Sequence, residues 1–143
     1  MVPKKIYILA GHPDTESMCN NLAYAYAHGA ELSGNEVRVT KLSEMKFDPI
    51  LHKGYRVIQE LEPDLKKFQE DVKWCEHFVI IYPSWWSTMP ALVKGLFDRS
   101  WIPGFAYKFL PSGLGWRRLL KGRTARVFVT SDSHPLVARF LFG

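Results

Sequence analysis

The sequence lacks any apolar run that approaches the ~20 residues of a membrane span, and it has only two cysteines, Cys19 and Cys75. Its N-terminus, MVPKKIYILAG, has two lysines and then five apolar residues, which is too short for a signal peptide. Two isolated cysteines form neither a disulfide framework nor a metal cluster, so we expect reduced thiols. These absences predict a cytoplasmic protein without membrane insertion and without a metal site.

Acidic residues are scarce in the last third of the chain. Residues 1–100 carry 12 Lys and Arg against 13 Asp and Glu, whereas residues 101–143 carry 7 against Asp132 alone. A basic segment of this kind can meet nucleic acid, an anionic cofactor or an acidic partner surface. The basic residues form no run and accompany no nucleic-acid motif, which favours a phosphate-bearing small molecule or a protein partner over nucleic acid.

What is present is an ordinary globular composition, with 47% hydrophobic and 23% charged residues in a chain of 143. This length and composition predict a single domain covering residues 1–143, with a hydrophobic core of its own. Aromatic residues make up 14% of the chain and concentrate between Phe78 and Trp116. That segment is therefore the first place to look for a binding site.

Short apolar runs alternate with segments of helical periodicity. Strands are predicted at 6–10, 36–42, 77–82 and 125–131, and helices at 18–32, from Pro63 and from Pro90. An irregular segment is predicted at 43–61, and a loop rich in glycine and aromatic residues at 104–116. This alternation predicts an α/β protein with a doubly wound parallel sheet and helices on both faces. Such a fold normally has five strands and only four are visible. We therefore expect either a chain truncated at its C-terminus or a sheet edge completed by something else.

Three loops follow the carboxyl ends of the predicted strands, at 11–17, 83–90 and 130–134. Parallel sheets bind ligands in the crevice beyond these ends, so we expect the three loops to form one site. The first loop, GHPDTES, ends at Ser17, a predicted N-cap whose helix offers free N–H groups to a phosphate, with His12 as a further donor. It has one glycine and no lysine, unlike a Walker or a G-x-G-x-x-G loop, so an ordinary capped turn is the better interpretation from these residues alone.

The second loop, PSWWSTMP, places Trp85 and Trp86 directly after a buried strand. The pair either fills the gap between sheet and helix or forms the wall of a pocket for a flat ligand, and these residues alone favour neither reading. Neighbouring side chains in an extended segment point in opposite directions, so only one tryptophan is expected to face a ligand.

Three further features are weaker. Lys94 and Asp98 are spaced to pair on a helix surface. The phrase TSDS at 130–133 either hydrogen-bonds the edge of a ligand or caps its own backbone. His134 is a lone histidine whose position is best explained by chance.

The chain resembles the flavodoxin-like NAD(P)H:quinone oxidoreductases, of the DT-diaphorase and bacterial drug-activity modulator type, in four segments: ILAGHPDTES, FDP, YPSWWSTMPALVKGLFDRSWIPGFAY and GLGWRRLLKGRTARVFVTSDS. The resemblance covers essentially the whole chain and is most specific at 82–107. It implies a homodimeric flavoprotein that takes a hydride from NADH or NADPH and passes two electrons to a quinone or a similar flat acceptor. FAD is the expected cofactor and FMN the close alternative.

The resemblance also implies site residues. The flavin phosphate site corresponds to His12, Ser17, Met18 and Cys19, the loop along the flavin ring to Pro83, Ser84, Trp85, Trp86 and Ser87, and the loop at the polar edge of the ring to Thr130, Ser131 and Asp132. Tyr107 corresponds to an aromatic residue that lines the substrate site near the partner subunit. On this basis Trp86 is expected to form the flavin wall and Trp85 to pack behind it, and no catalytic acid or base is assigned.

Two alternative functions stay open. Members of the same family serve as ancillary subunits of potassium-efflux systems, where the basic segment 117–126 would contact an acidic surface of the transporter partner. A degraded relative that folds without flavin is the other alternative, and the missing fifth strand motivates it.

Overall fold

A computed structural model describes residues 2–132, which form four parallel strands, three helices and a small hairpin. The parallel strands are β1 (Lys5–Ala10), β2 (Glu36–Lys41), β3 (His77–Pro83) and β6 (Thr124–Thr130). The helices are α1 (Met18–Leu32), α2 (Pro63–Trp74) and α3 (Ala91–Ser100), and the hairpin pairs β4 (Tyr107–Phe109) with β5 (Trp116–Arg118). The sheet order is β2-β1-β3-β6, which confirms the predicted α/β fold.

Helices cover both faces of the sheet. On one face α1 packs Ala23 and Ala27 against Ile8 and Ile81. On the other face lie α2 and α3, whose buried side chains join Tyr7, Leu9 and Phe78: Leu65, Phe68, Val72, Val93 and Leu96. The strand alternation places odd and even residues of β1 in different clusters, and both are buried. The central strands therefore need apolar residues at every position, which is why 6–10 reads as a continuous apolar run.

The predicted element boundaries are close to those observed. The helix predicted at 18–32 has those bounds, and Ser17 caps it by accepting a hydrogen bond from the backbone N–H of Asn20 at 3.4 Å. Pro63 begins α2, and Pro90 immediately precedes α3. None of the helices in the described part of the chain is long and apolar enough to cross a membrane. The prediction of a missing fifth strand concerns sequence outside the described residues.

The segment 104–116, predicted as a loop rich in glycine and aromatic residues, contains most of the β4–β5 hairpin, so the prediction missed its two short strands. Its connection turns at Gly113 and Gly115, both at positive φ, and Leu110 donates its N–H to the Gly115 carbonyl at 3.2 Å. Each strand has only three residues, so neither gives a recognisable periodicity. The hairpin exposes large apolar side chains, among them Leu114 and Trp116.

The buried side chain of Arg99 on α3 organises the segment between β2 and α2. It is 1% exposed, and its guanidinium donates to the carboxylate of Glu62 and to the carbonyls of Asp48 and Glu60. Burial raises the pKa of Glu62, but its hydrogen bonds from Arg99 and from the Asp48 backbone outweigh burial, so the pKa lies below its ordinary value. The ion pair therefore holds an otherwise irregular segment against α3.

Glu62→Gln is expected to lower the free energy of unfolding by about 1.5–3 kcal/mol at neutral pH, because it weakens charge-assisted hydrogen bonds to a buried cation. A carboxyl whose folded pKa is lowered stabilises the fold above its ordinary value of 4.5 and loses that contribution as the pH falls below it. The difference from wild type, measured by urea unfolding, should thus shrink on acidification. Glu70→Gln, at an exposed position of α2, is the control; a pH-independent difference at Glu62 would contradict the ion-pair account.

Gly95 on α3 permits the same segment to approach the helix closely. A Cβ added at Gly95 would lie 2.5 Å from Cβ of Pro49 and 2.6 Å from its carbonyl oxygen, and these are not the flexible ends of side chains. The position therefore has no room for a methyl group.

Gly95→Ala is expected to destabilise the protein by about 1–3 kcal/mol through overpacking, despite the better helix propensity of alanine. Gly29→Ala on α1 is the matched control, since an added Cβ there meets nothing within 4 Å. It should gain about 0.5–1 kcal/mol. Urea unfolding of both variants tests the pair, and equal effects would show that close packing at Gly95 is unimportant.

Candidate functional site at the carboxyl ends of the strands

The three loops predicted to form one site are joined by direct contacts. The backbone N–H of Gly11 donates to the Ile81 carbonyl at 2.7 Å, and that of Ser84 donates to the Thr130 carbonyl at 2.7 Å. Cys19 Sγ lies 3.5 Å from Thr130 Oγ1, which brings the first turn of α1 to the end of β6. The structure thus brings residues from all three loops to one edge of the sheet.

The first loop is built around a buried asparagine that the sequence prediction missed. Asn20 is 1% exposed, and its Nδ2 donates to the carbonyls of Asp14 at 2.9 Å and Thr15 at 2.8 Å. These bonds fix the loop over the start of α1. Only its place three residues after the N-cap Ser17 hinted at this role, since a capped first turn brings that position close to the preceding loop.

The N-terminus of α1 faces this loop with free donors. Its first turn contains no acidic residue, and the amides of Met18 and Cys19 donate to no other group in the described part of the chain. Asp14 is exposed, and its carboxylate accepts the N–H of Glu16 at 3.0 Å within the loop itself. The donors and the helix dipole together therefore favour an anion.

His12 connects the first loop with the second. Its Nδ1 accepts the backbone N–H of Asp14 at 2.9 Å, and its ring meets Trp85 edge to face at 5.4 Å. An accepting Nδ1 leaves the proton of the neutral imidazole on Nε2. His12 is thereby oriented with one N–H donor available beside the indole of Trp85.

The second loop is a tight turn and not the extended segment that the sequence prediction assumed. Trp85 and Thr88 exchange two backbone hydrogen bonds of 2.9 and 3.1 Å, and the two central residues, Trp86 and Ser87, have φ of 52° and 62°. Positive φ at both central positions characterises a type I′ turn, which usually has Asn-Gly there. Trp86 therefore lies at the tip and is 99% exposed, while Trp85 is 44% exposed. The apolar run before the turn gave no sign of it.

A serine at φ 62° carries left-handed strain that glycine would not. Ser87→Gly is accordingly expected to raise the free energy of unfolding by about 1 kcal/mol. Ser87→Ala removes the same hydroxyl but keeps the Cβ, so it serves as the control and should give no gain. If urea unfolding finds both variants equally stable, the turn is not strained at this residue.

The remaining predicted residues have varied positions. Pro83 is buried at the end of β3, Ser84 is half-buried, and Ser131 and Asp132 are exposed after β6. Tyr107 belongs to the β4–β5 hairpin and not to the parallel sheet, and its ring meets Phe109 edge to face at 5.4 Å. Lys94 and Asp98 pair as predicted, at 2.6 Å. His134 lies outside the described residues.

The site residues fit the parts of a flavin that need protein donors. Free amides at the start of α1 and the N–H of His12 match a phosphate group. The exposed indole of Trp86 and the half-exposed indole of Trp85 supply flat apolar surface next to it. An apolar cavity of about 320 Å³ lies elsewhere, under the 51–59 segment, and shares no lining residue with this site.

Comparison with known proteins shows the family. Residues 4–138 match the model of the family described as having a flavodoxin-like fold, and the chain belongs to that family. It is 30% identical to an uncharacterized NAD(P)H oxidoreductase, YcaK, of Escherichia coli strain K12, over 75% of this chain and 57% of the relative. It is 26% identical to the ribosyldihydronicotinamide dehydrogenase [quinone] of Pongo abelii, over 92% of this chain and 64% of the relative.

A solved structure gives the same result. The NAD(P)H:quinone oxidoreductase from Methanothermobacter marburgensis superposes with a TM-score of 0.83 at 25% identity, covering 97% of this chain and 72% of that one. The resemblance to NAD(P)H:quinone oxidoreductases seen in the sequence is thus confirmed. The chain spans about half to two thirds of the length of the curated relatives that it matches.

Proposed function

We propose that the protein is a flavin-dependent NAD(P)H oxidoreductase that passes two electrons, as hydride, to a quinone or a similar flat acceptor. The observation that carries the proposal is the meeting of three loops at the carboxyl ends of β1, β3 and β6, which brings the free amides at the start of α1 and the His12–Trp85 ring pair to one edge of the sheet. The names of the relatives support the same activity. The reaction belongs in the cytoplasm, where NAD(P)H is supplied.

A bound flavin would supply the hydride acceptor and the two-electron donor that no side chain of this chain can provide. The residues around it would bind and orient. Met18 and Cys19 would donate backbone N–H groups to its phosphate, with Nε2 of His12 as an additional donor. Ser84, Ser87 and the 130–132 segment would offer hydrogen bonds to the polar edge of the ring. FAD is the preferred form and FMN the alternative.

Trp86 is proposed as the wall of the ring site. Its indole has almost no contact with its own chain, so a flat ligand can cover it without displacing any packed group. Trp85 contacts His12 and would act mainly by holding the histidine over the first loop. The two backbone hydrogen bonds between Trp85 and Thr88 close this segment into a turn before any ligand arrives.

A homodimer completes the proposal. The β4–β5 hairpin presents exposed apolar side chains that are unusual on a monomer surface: Phe109, Leu110, Leu114 and Trp116. A second copy would bury them and bring Tyr107 towards the acceptor site of its partner. If the protein is instead an ancillary subunit or a flavin-free relative, any activity should depend less on formation of this dimer.

Titration of FAD, and separately of FMN, with the protein tests the function, with quenching of flavin fluorescence as the measurement. Saturable quenching at one flavin per chain is expected. Trp86→Leu should weaken binding about tenfold and lose most of the quenching, since a ring stack contributes about 1–1.5 kcal/mol. Trp85→Leu should keep more of the quenching.

Tyr55→Leu, which removes an exposed aromatic ring outside both the site and the hairpin, is the control and should bind flavin like wild type. If flavin quenching is lost in Trp85→Leu and kept in Trp86→Leu, Trp85 is the wall of the ring site and Trp86 is not. Absence of quenching with either flavin, in protein shown to be folded by circular dichroism, would refute the oxidoreductase proposal. Bleaching of bound flavin by NADH or NADPH without oxygen, and its recovery with a short-chain quinone, then tests the two half-reactions.

A further inference from the structure

A basic groove lies at the opposite end of the sheet from the flavin loops. Four cationic side chains line it, together with the indole of Trp74 and one carboxylate: Lys5, Lys73, Lys121, Arg123 and Glu76. It is an open depression of about 480 Å³ at the amino ends of the strands. Lys5 begins β1, Glu76 precedes β3, and Arg123 precedes β6. The proposed flavin chemistry uses none of these residues.

The cations of the groove lack carboxylate partners. Three lysines elsewhere in the fold form local ion pairs, Lys41 with Glu44, Lys67 with Asp71 and Lys94 with Asp98. Within residues 2–132, no carboxylate oxygen lies within 4.0 Å of the ammonium nitrogens of Lys5, Lys73 or Lys121. The groove therefore carries four cationic side chains against the single carboxylate of Glu76, whose Oε2 accepts the backbone N–H of Lys5 at 3.0 Å.

The C-terminus of α2 explains two of the four cations, because Lys73 lies in the last turn of this helix and Arg123 caps its end. Arg123 donates from Nε to the Val72 carbonyl at 3.0 Å and from Nη2 to the Lys73 carbonyl, so it caps the C-terminus of α2 and is held in place. Lys5 and Lys121 lie on other elements and make no such bond. Burial lowers the pKa of His77, at the start of β3, and the neighbouring charges of Arg126 and Lys4 lower it further, as expected where positive charge accumulates.

The ring of Trp74, the aromatic residue of the groove, already lies close to two cationic side chains. The guanidinium of Arg38 lies 4.0 Å from the Trp74 ring centroid, and Nζ of Lys5 lies 5.8 Å from it. Binding of single-stranded nucleic acid uses free aromatic faces for stacking, and peripheral membrane binding uses exposed apolar side chains. The groove lining offers neither. An acidic protein surface needs only complementary charge over an open area.

We propose that the basic groove is a docking surface for an acidic segment of a partner protein. Carboxylates of that segment would meet the guanidinium of Arg123, which its helix cap holds in place, and the ammonium groups of the three lysines. The geometry leaves the flavin loops clear, so such a partner and the proposed flavin can bind together. The proposal depends on the charges at this end of the sheet and is independent of the redox function.

Binding of a fluorescent octaglutamate peptide to the full chain tests the proposal, with anisotropy as the measurement and an octaglutamine peptide as the uncharged control. Saturable binding is expected, and raising the salt should weaken it strongly. Lys73→Gln with Lys121→Gln, both at exposed positions, should weaken it about tenfold. Lys53→Gln with Lys66→Gln removes the same charge outside the groove and should change it less than about twofold.

Several results would overturn the proposal. Equal losses of peptide affinity in the two double variants would show that the peptide responds to the net charge of the protein and not to the groove. The same variants are tested with pyrophosphate, with anionic phosphatidylserine vesicles and with a short RNA. If one of these ligands binds in a way that depends on Lys73 and Lys121, and the peptide does not bind, that ligand replaces the protein partner. Circular dichroism and flavin titration of the same variants establish that fold and cofactor site are unchanged.

Discussion

The parallel pairing of β1 with β3 is the constraint on which the rest of the structure depends. Five residue pairs run from Ile6 with His77 to Ala10 with Ile81, and the strands are buried between α1 on one face and α2 with α3 on the other. Parallel strands must end at the same edge, so the loop after β1 and the loop after β3 cannot be separated. The bond from Gly11 N–H to the Ile81 carbonyl continues this register into the loops.

The loop after β1 must also pass close to β3 and α3 at the carboxyl ends of the strands. A Cβ on Gly11 would lie 3.0 Å from a methyl carbon of Val93 and 3.2 Å from the Ile81 carbonyl oxygen, so a larger residue there would require these neighbours to shift by a few tenths of an ångström. Asn20 then holds the loop from below, and the second loop turns back within four residues. The site is therefore fixed by backbone contacts between its loops and by the side chain of Asn20.

The sequence predicted the fold well because its signals are local. Continuous apolar runs, the N-cap Ser17 and the prolines at 63 and 90 each identify an element without reference to the rest of the chain. The predicted meeting of three loops followed from strand direction alone. What could not be predicted depends on contacts between distant residues: the role of Asn20 in the first loop, and the burial of Arg99 against Glu62. The turn at Trp86 and Ser87 also escaped prediction, because propensity argues against positive φ for both residues.

The two ends of the sheet differ in charge for a reason that belongs to the fold. In a parallel α/β sheet each helix begins near the carboxyl ends of the strands and ends near their amino ends, so helix N-termini favour anions at one end and helix C-termini favour cations at the other. Lys73 and Arg123 follow this rule at the end of α2. The rule does not explain Lys5 and Lys121, because Lys5 lies on a strand and Lys121 in a loop, and neither belongs to a helix terminus. The dipole thus accounts for the polarity of the sheet, and the surplus of cations at its amino end needs a separate cause, for which a partner of opposite charge is the physical candidate.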